Sequence, residues 1–524
     1  MPNTVLEAAH AAAAALPPPA TEKVRYAPTD CVLLIGPGEL LLKRLEALKL
    51  TGLRSSLLST NKTDMPRGLR ALSGELAELS GWMGAFSARM ATPQGAVDLA
   101  PLSYHDDGHF DWVLDFSDTP GTTPDVSPLG YYALATDDFP ALKHSLLEIA
   151  SRMRAGYEKP RYFSFDANRC AYQRQEIEGC SACLSACSAS AISSVKEAIR
   201  IEPNLCQGCG SCALVCPSGA VRYADPNPGF SLTRLQTMLT AWRGEGGGPV
   251  GLWIVDTTGE AESPSGWLPY VVQEPASLGL EFWLAALASG CNRVAIAASD
   301  VPAATRRALN EQLALTQALL AGLGLLPALG LAANAAELAA LPTLPDVNPA
   351  ELAVTDDKRV LLYAAIDALI AHTQTPPTSI ALTAAPMGEV RIAADKCTLC
   401  AACVRICPAD ALSLPGTTMQ LAFTEERCLQ CGLCANVCPE KAVTLTPRLL
   451  ISKAARQSPR IVAEAEPYAC TDCGKQFATK AMIERSRAMM AGHPMFQGEQ
   501  ARLMTLCPDC RQRAMAGGPS SRWS

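Results

Sequence analysis

Sixteen cysteines in this 524-residue chain stand at spacings that suit inorganic iron–sulfur chemistry. Three thiolates in a C-x2-C-x2-C run can grip three irons of one [4Fe–4S] cube, and a fourth cysteine three residues on is displaced along the next helical turn, so that in this motif it ligates a second cube. "DKCTLCAACVRICPADAL" supplies the trio Cys397, Cys400 and Cys403 with Cys407 displaced. "ERCLQCGLCANVCPEKAV" supplies Cys428, Cys431 and Cys434 with Cys438 reaching back. The expected ligand sets are therefore exchanged: Cys397, Cys400, Cys403 with Cys438, and Cys428, Cys431, Cys434 with Cys407. Pro408 and Pro439 end each run by turning the chain and removing a backbone donor. Eight buried cysteines without metal are a poor alternative, because free cysteine is buried singly as a small apolar residue.

An earlier region has the same chemistry with one irregular half. Cys206, Cys209, Cys212 and Cys216-Pro217 follow the pattern, but in "CAYQRQEIEGCSACLSACSAS" nine residues separate Cys170 from Cys180, and Ser188 follows Cys187 where a proline is expected. If the spacer loops out, Cys170, Cys180, Cys183 and Cys216 hold one cube, and Cys206, Cys209, Cys212 and Cys187 hold another. Closure entropy grows slowly with loop length, so such an insertion is tolerable. A missing proline removes a preference and no ligand. The alternative is that Cys170 is a core cysteine and its site is empty or holds three irons.

The runs repeat one another, each leading into alanine and an aliphatic residue: Ala191-Ile192, Ala220-Val221, Ala411-Leu412 and Ala442-Val443. On these motifs both regions resemble two-cluster bacterial ferredoxins, of the polyferredoxin type when repeated in one chain. The resemblance implies a βαβ-repeat fold around each pair, with clusters near enough for electrons to hop. Four [4Fe–4S] clusters are expected in all. Further on, "CTDCGK" and "CPDCRQ" form two knuckles, Cys470 with Cys473 and Cys507 with Cys510, able to close a tetrahedron. Zinc is the expected occupant, because four-thiolate sites of this form are closed and give a small module its folding energy. A single rubredoxin-like iron has the same ligand set and is the alternative.

The elements that must carry these sites alternate along the chain. Residues 1–23 read as a flexible lead-in with a short helix and a proline-rich run. Residues 24–160 read as a small α/β domain built on the strand "CVLLIGPG" and the helix "ELLLKRLEALKL". The first cysteine region occupies 161–225, and alternating strand and helix patterns over 226–385 suggest a parallel-sheet α/β domain. Residues 386–448 form the second cysteine region, followed by a basic linker, "SKAARQSPR", and a four-cysteine module within 449–524 that ends in the tail "GGPSSRWS". The predicted fold class is thus α/β and α+β multidomain: two ferredoxin-like modules, small Rossmann-like α/β domains and a zinc-ribbon-like module. In the middle domain, "VVQEPASLGLEFWLAALASGCNRVAIA" is similar to delta-type iron–sulfur subunits of hydrogenases and heterodisulfide reductases. Only Cys291 is present there, so the likeness implies a docking or scaffolding role without a cluster.

Other signals are weaker. Gly36 and Gly38 follow a strand, but Leu41 stands where a dinucleotide fingerprint needs its third glycine. "SYHDDGHF" groups His105, Asp106, Asp107 and His109, which reads as a solvated loop more readily than as a metal site. Cys31 and Cys291 lie beside aliphatic strands and read as core residues. Leu313 to Ala336 is uncharged, yet Gln317, Pro327, Asn334 and three glycines favour helix, turn and strand over a membrane span. Net charge is −7 with no basic run to neutralise phosphates, which argues against nucleic acid as a partner. Thiolate sites persist best under reducing conditions and the N-terminus lacks a basic leader, so a cytoplasmic protein is expected.

These readings converge on an electron-transfer protein whose partners are redox proteins acting as donor and acceptor. With no flavin or nicotinamide site in view, a self-contained reductase is not expected. A subunit of a larger oxidoreductase, of formate dehydrogenase or hydrogenase type, and a maturation or scaffold factor are the alternatives.

Overall fold

The computed structural model of the protein describes residues 3–48, 51–122, 124–256, 264–345, 348–416, 419–493, 497 and 499–516. The tail "GGPSSRWS" lies outside them.

Near the N-terminus the strand Cys31–Gly36 is buried along its whole length, as expected of a strand covered on both faces. It is central in a five-stranded parallel sheet ordered Ala71–Ser73, Arg54–Ser59, Cys31–Gly36, Trp112–Asp115, Tyr131–Ala133. Its two faces part by alternation. Val32 and Leu34 pack with Leu41, Leu142 and Ile149 of helices Gly38–Leu48 and Phe139–Ala155. Cys31, Leu33 and Ile35 pack with Phe86, Ala88 and Leu99, where an antiparallel sheet of Leu76–Ser80, Ser87–Thr92 and Gly95–Asp98 covers the other face. The Gly36–Gly38 turn is closed to phosphate: Asn61 Oδ1 already accepts the Gly38 N–H at 2.8 Å, and a Cβ on Gly36 would lie 2.9 Å from Phe116 Cβ.

The middle domain has four parallel strands in the order Trp267–Val272, Val250–Asp256, Cys291–Ile296, Leu329–Leu331. Helix Leu280–Ala288 is apolar almost throughout and every residue in it is buried. The uncharged stretch near Leu313 is the end of helix Ala303–Gly322, a turn and the strand Leu329–Leu331. Among the described residues no helix is long and apolar enough to cross a membrane.

Two expectations change. The short helix read in the lead-in is Asn3–Ala14, but it is packed and not loose: Val5, Ala9 and Ala13 sit at helical spacing and are buried in the core that also holds Leu235 and Met238 of helix Pro228–Gly244. The segment read as a basic linker is also structured. It forms helix Lys453–Gln457 and strand Arg460–Glu464, the latter pairing with Gln420–Phe423 of the second cysteine region. Arg456 is only 1% exposed, donating to the carbonyls of Leu450 and Ile451 and pairing with Asp367 and Glu426. Composition made it look like linker because charge was visible and its partners were distant in sequence.

The cysteine regions repeat in structure. Each has two five-residue helices in contact, Ala182–Ala186 with Ser211–Val215 and Ala402–Ile406 with Leu433–Val437. Each is flanked by an antiparallel pair joining its two ends, Phe163–Phe165 with Val221–Tyr223 and Gly388–Ile392 with Val443–Leu450. A second pair lies between the cysteine runs, Ile192–Val195 with Ala198–Ile201 and Leu412–Ser413 with Gln420–Phe423.

Candidate cluster-binding sites

Each trio is built from a tight loop entering a short helix. In three of the four, the residues on either side of the second cysteine are left-handed: Gly208 and Gly210 around Cys209, Leu399 and Ala401 around Cys400, Gln430 and Gly432 around Cys431. Left-handed residues alternating with ordinary ones turn successive backbone N–H groups inward, which makes a concavity suited to an anionic cluster. Leu399, Ala401 and Gln430 carry the backbone cost of that conformation without glycine's freedom, so the loop is held against local preference.

The displaced cysteines share a second local device. Three residues after each comes a left-handed residue, Ser190, Gly219, Asp410 and Lys441. The turn aims a backbone N–H at the thiol: Ala191 N to Cys187 Sγ at 3.2 Å, Ala411 N to Cys407 Sγ and Ala442 N to Cys438 Sγ, both at 3.3 Å, and Val221 N to Cys216 Sγ at 3.5 Å. Cys187 therefore has the same turn as the others although Ser188 replaces the proline. Ser188 is buried, and its hydroxyl donates to Cys209 Sγ at 3.4 Å.

Cys170 has a counterpart as well. A one-turn 3-10 helix, Ala167–Arg169, precedes it, as Glu425–Arg427 precedes Cys428, and in both the cysteine N–H closes the turn, on Ala167 O and Glu425 O. The long spacer that follows forms the hairpin Gln173–Arg174 with Ile177–Glu178, turned by left-handed Gln175 and Glu176. Here the chain has no left-handed residue beside Cys180, so the hairpin replaces the loop found in the other three.

The thiols lie close enough to act on one another. Burial pushes Cys183 up to about 12, reinforced by the charges of Cys216, Cys180 and Cys170. Burial also raises Cys206 to about 11, with Cys209 and Cys187 acting on it, and raises Cys212, on which Cys209, Cys206 and Cys187 act. Cys403 is pushed up to about 12 by burial and by Cys397, Cys400 and Cys438. Cys431 rises to about 11 through burial and the charges of Cys407 and Cys428, and Cys434 is raised by burial and by Cys428, Cys431 and Cys407. Each set thus unites a trio with the displaced cysteine of the other run. Four thiols that oppose one another's ionisation in an apolar cradle fit a cationic iron core, which stabilises all four thiolates at once.

Three of the sets enclose distinct hollows. Cys206, Cys209, Cys212 and Cys187 line one, Cys397, Cys400, Cys403 and Cys438 a second, and Cys428, Cys431, Cys434 and Cys407 a third. Cys180 and Cys216 instead face a larger cavity that Cys431 also lines.

Cys470, Cys473, Cys507 and Cys510 lie with all their sulfur atoms within 4.8 Å of one another. They are carried by the hairpin Pro467–Ala469 with Gln476–Thr479 and by the start of helix Pro508–Ala516. Burial raises the Cys470 thiol, but N–H donors from Cys507, Cys473 and Asp472 outweigh it and hold the group at about 6. Cys510 is pushed up to about 12 by burial and by bonds to Cys473 and Cys507. Four sulfur atoms this close, three of them on buried residues, fit a single metal ion.

His105 and His109 come together with Asp111, which sequence reasoning did not single out, in place of Asp106. Asp111 is buried and accepts from Thr29 Oγ1, the Cys31 N–H and His105 Nε2 at 2.8 to 3.0 Å, bonds that account for the group as a pin between loop and strand. Cys31 and Cys291 are fully buried in the α/β cores, apart from every cysteine set. Sequence reasoning also missed three successive residues at the start of helix Lys358–Ile370. Asp357 pairs with Arg169 at 2.9 Å, and Lys358 donates to the carbonyls of Ala213 and Leu214 at 2.8 and 2.7 Å. Arg359 donates to Pro217 O, Pro386 O, Glu426 O and Cys428 O. No motif marks them, because the partners are distant in sequence and, for Lys358 and Arg359, are backbone carbonyls.

Comparison with known proteins agrees with this geometry. The family described as "4Fe-4S dicluster domain" matches twice, over residues 178–220 and 396–442. The first match begins after Cys170, where the inserted hairpin breaks the pattern. A protein of Escherichia coli (strain K12) named Hydrogenase-4 component A is 44% identical over 46 residues, which is 9% of this chain and 22% of that relative. The chain thus spans about a fifth of the length of the curated relative it matches.

Proposed function

We propose that this iron–sulfur protein of the ferredoxin type holds four [4Fe–4S] clusters and relays single electrons between redox partner proteins. Bound clusters supply one-electron exchange between Fe(II) and Fe(III). The chain's own residues fix the thiolates, bring backbone N–H groups to their sulfur atoms and keep the cradles apolar. The ligand sets are Cys170, Cys180, Cys183 with Cys216; Cys206, Cys209, Cys212 with Cys187; Cys397, Cys400, Cys403 with Cys438; and Cys428, Cys431, Cys434 with Cys407. The observation that carries the reading is the turn repeated after all four displaced cysteines, which gives the irregular half the same local build as the regular ones. At Cys470, Cys473, Cys507 and Cys510 a structural zinc is proposed, with a single iron as the alternative outcome of metal analysis.

Protein purified without oxygen is expected to contain about 16 irons per chain, and Cys170→Ala about 12. A wild-type value near 12 that Cys170→Ala leaves unchanged would show that Cys170 is not a ligand. A second reading, as the electron-transfer subunit of a larger oxidoreductase, is favoured by the 46-residue similarity to a hydrogenase component. Native sizing of a cell extract separates the two: a free carrier elutes at its own mass of 55.4 kDa, a subunit with its complex.

A further inference from the structure

The hairpin between Cys170 and Cys180 does more than bridge a gap. It lies against the second cysteine region: Asn436 Nδ2 donates to Glu178 O at 2.8 Å, and a Cβ on Gly179 would come within 2.8 Å of Leu433 Cγ. One apolar cluster crosses the seam, with Ala171 from the first module meeting Ile406, Leu429 and Leu433 from the second, and Cys180 and Cys431 both packed against it. A single guanidinium spans the same seam. Arg359 holds Pro217 O, next to Cys216, at 3.4 Å, and Glu426 O and Cys428 O at 2.7 and 3.0 Å. Arg359 is thus bonded on one side to the segment behind one proposed cluster and on the other to the segment behind a second.

We infer that the nine-residue spacer is an inter-module dock, and that it and Arg359 hold Cys180 beside Cys431 so that both modules form one electron path. The inference rests on the four-cluster reading and adds the order of the path: the Cys206 set, the Cys170 set, the Cys428 set, the Cys397 set. Transfer across the seam moves one electron and no proton, oxidising the Cys170 side as it reduces the Cys428 side. Cys180 and Cys431 also line one cavity, in keeping with their proximity. The regular spacing of the other three trios leaves no chain for such a dock, which gives the irregular half a purpose. The outer ends lie under different domains. Lys159 Nζ of the N-terminal domain donates to Cys206 O at 2.6 Å, and Thr479 Oγ1 of the four-cysteine module donates to Thr398 O at 2.8 Å. Arg359 is a positioning residue, since it touches carbonyls and not the sulfur atoms.

The test is low-temperature spin resonance on fully reduced holoprotein. Cys170→Ala is expected to remove one signal and also to narrow that of the Cys428 set and slow its relaxation, because its magnetic neighbour across the seam is gone. Arg359→Ala is expected to keep the full iron content while losing the same broadening, a change that simple destabilisation does not produce. Should Arg359→Ala shed iron, Asn436→Asp replaces the Nδ2 donor to Glu178 O with a carboxylate oxygen that repels it, with every ligand and the clasp intact, and the same loss of broadening is expected. The inference is overturned if Cys170→Ala brings iron to about 12 yet leaves the second module's signals unchanged, or if Arg359→Ala or Asn436→Asp, whichever retains full iron, keeps the wild-type broadening. A wild-type iron content well below four cubes would refute the reading beneath it, and metal analysis reports that separately.

Discussion

Ser188 stands where three of the four runs have proline, and its hydroxyl meets Cys209 Sγ at 3.4 Å. Its neighbour Ser211 approaches the same sulfur at 3.4 Å, but the Ser211 proton is directed to Thr305 Oγ1 at 2.8 Å. Ser188 is thus the hydroxyl that donates to Cys209. A hydrogen bond to a cluster sulfur favours the reduced, more negative state and raises the potential. Ser188 is 2% exposed, so water has little access to replace the bond when the hydroxyl is removed. A hydrogen bond of this kind contributes about 0.5–1.5 kcal/mol. With one-electron transfer, about 59 mV corresponds to about 1.4 kcal/mol, so Ser188→Ala should lower one potential by about 20–60 mV.

The assay is a redox titration followed by spin resonance, with Ser188→Thr as the control that keeps a hydroxyl. Only the cluster held by Cys206, Cys209, Cys212 and Cys187 should move. The backbone bond from Val126 N to Ser188 O, which anchors the N-terminal domain here, survives the change to alanine. A shift upward, a shift in a different cluster, or no shift at full iron occupancy would refute the reasoning.

Two further outcomes follow from the remaining geometry. Burial, then the charge of Asp256, raises Glu274 to about 7 from an ordinary 4.5. A carboxyl raised on folding stabilises the fold fully below its unfolded pKa and loses that contribution as pH climbs through 7. Glu274→Gln should therefore gain on wild type as pH rises from about 4.5 to 7 and hold that gain above it, by about 1–2 kcal/mol after discounting for partial exposure, as seen in thermal melts from about pH 4 to 8; a pH-independent difference would sink the idea. A strong chelator should unfold the hairpin and helices around Cys470, Cys473, Cys507 and Cys510 while the cluster absorbance persists, because the metal's binding energy is that small module's folding energy. Protease resistance of residues 465–516 in metal-free protein would count against it.

The cluster motifs were legible because their chemistry is local: four residues at fixed spacing decide what a cube can grip. The strand Cys31–Gly36 was legible for a similar reason, as an unbroken apolar run ending in glycine. What escaped was long-range. The short helix Asn3–Ala14 was legible but its packing was not, because alanine, its main constituent, carries little apolar signal, and its partner is helix Pro228–Gly244, more than 200 residues away. Arg456 was absorbed into a basic linker and Arg359 drew no reading, because backbone carbonyls leave no mark in a sequence. Asp111 escaped because nothing in "DWVLDF" distinguishes a strand-edge carboxylate that pins a loop from one that faces water.

Why a ferredoxin-like half can be stretched and still be built correctly follows from where its geometry is stored. The displaced cysteines are fixed by turns of four or five residues, and Cys170 by a single 3-10 turn, so neither depends on the length of chain between them. An insertion there changes closure entropy by a small amount and leaves the ligands' own dihedrals alone. What it adds is surface, and in a chain with a second module that surface has a use. Ala171, Ile177 and Gly179 present an apolar, closely fitting edge to Leu433 and Val437, and burying it offsets the cost of ordering the hairpin. The regular trios have left-handed residues at this point, which leave no such edge. The departure from the motif and the contact between modules are thus one structural feature, and removing the spacer to restore the consensus would undo the contact.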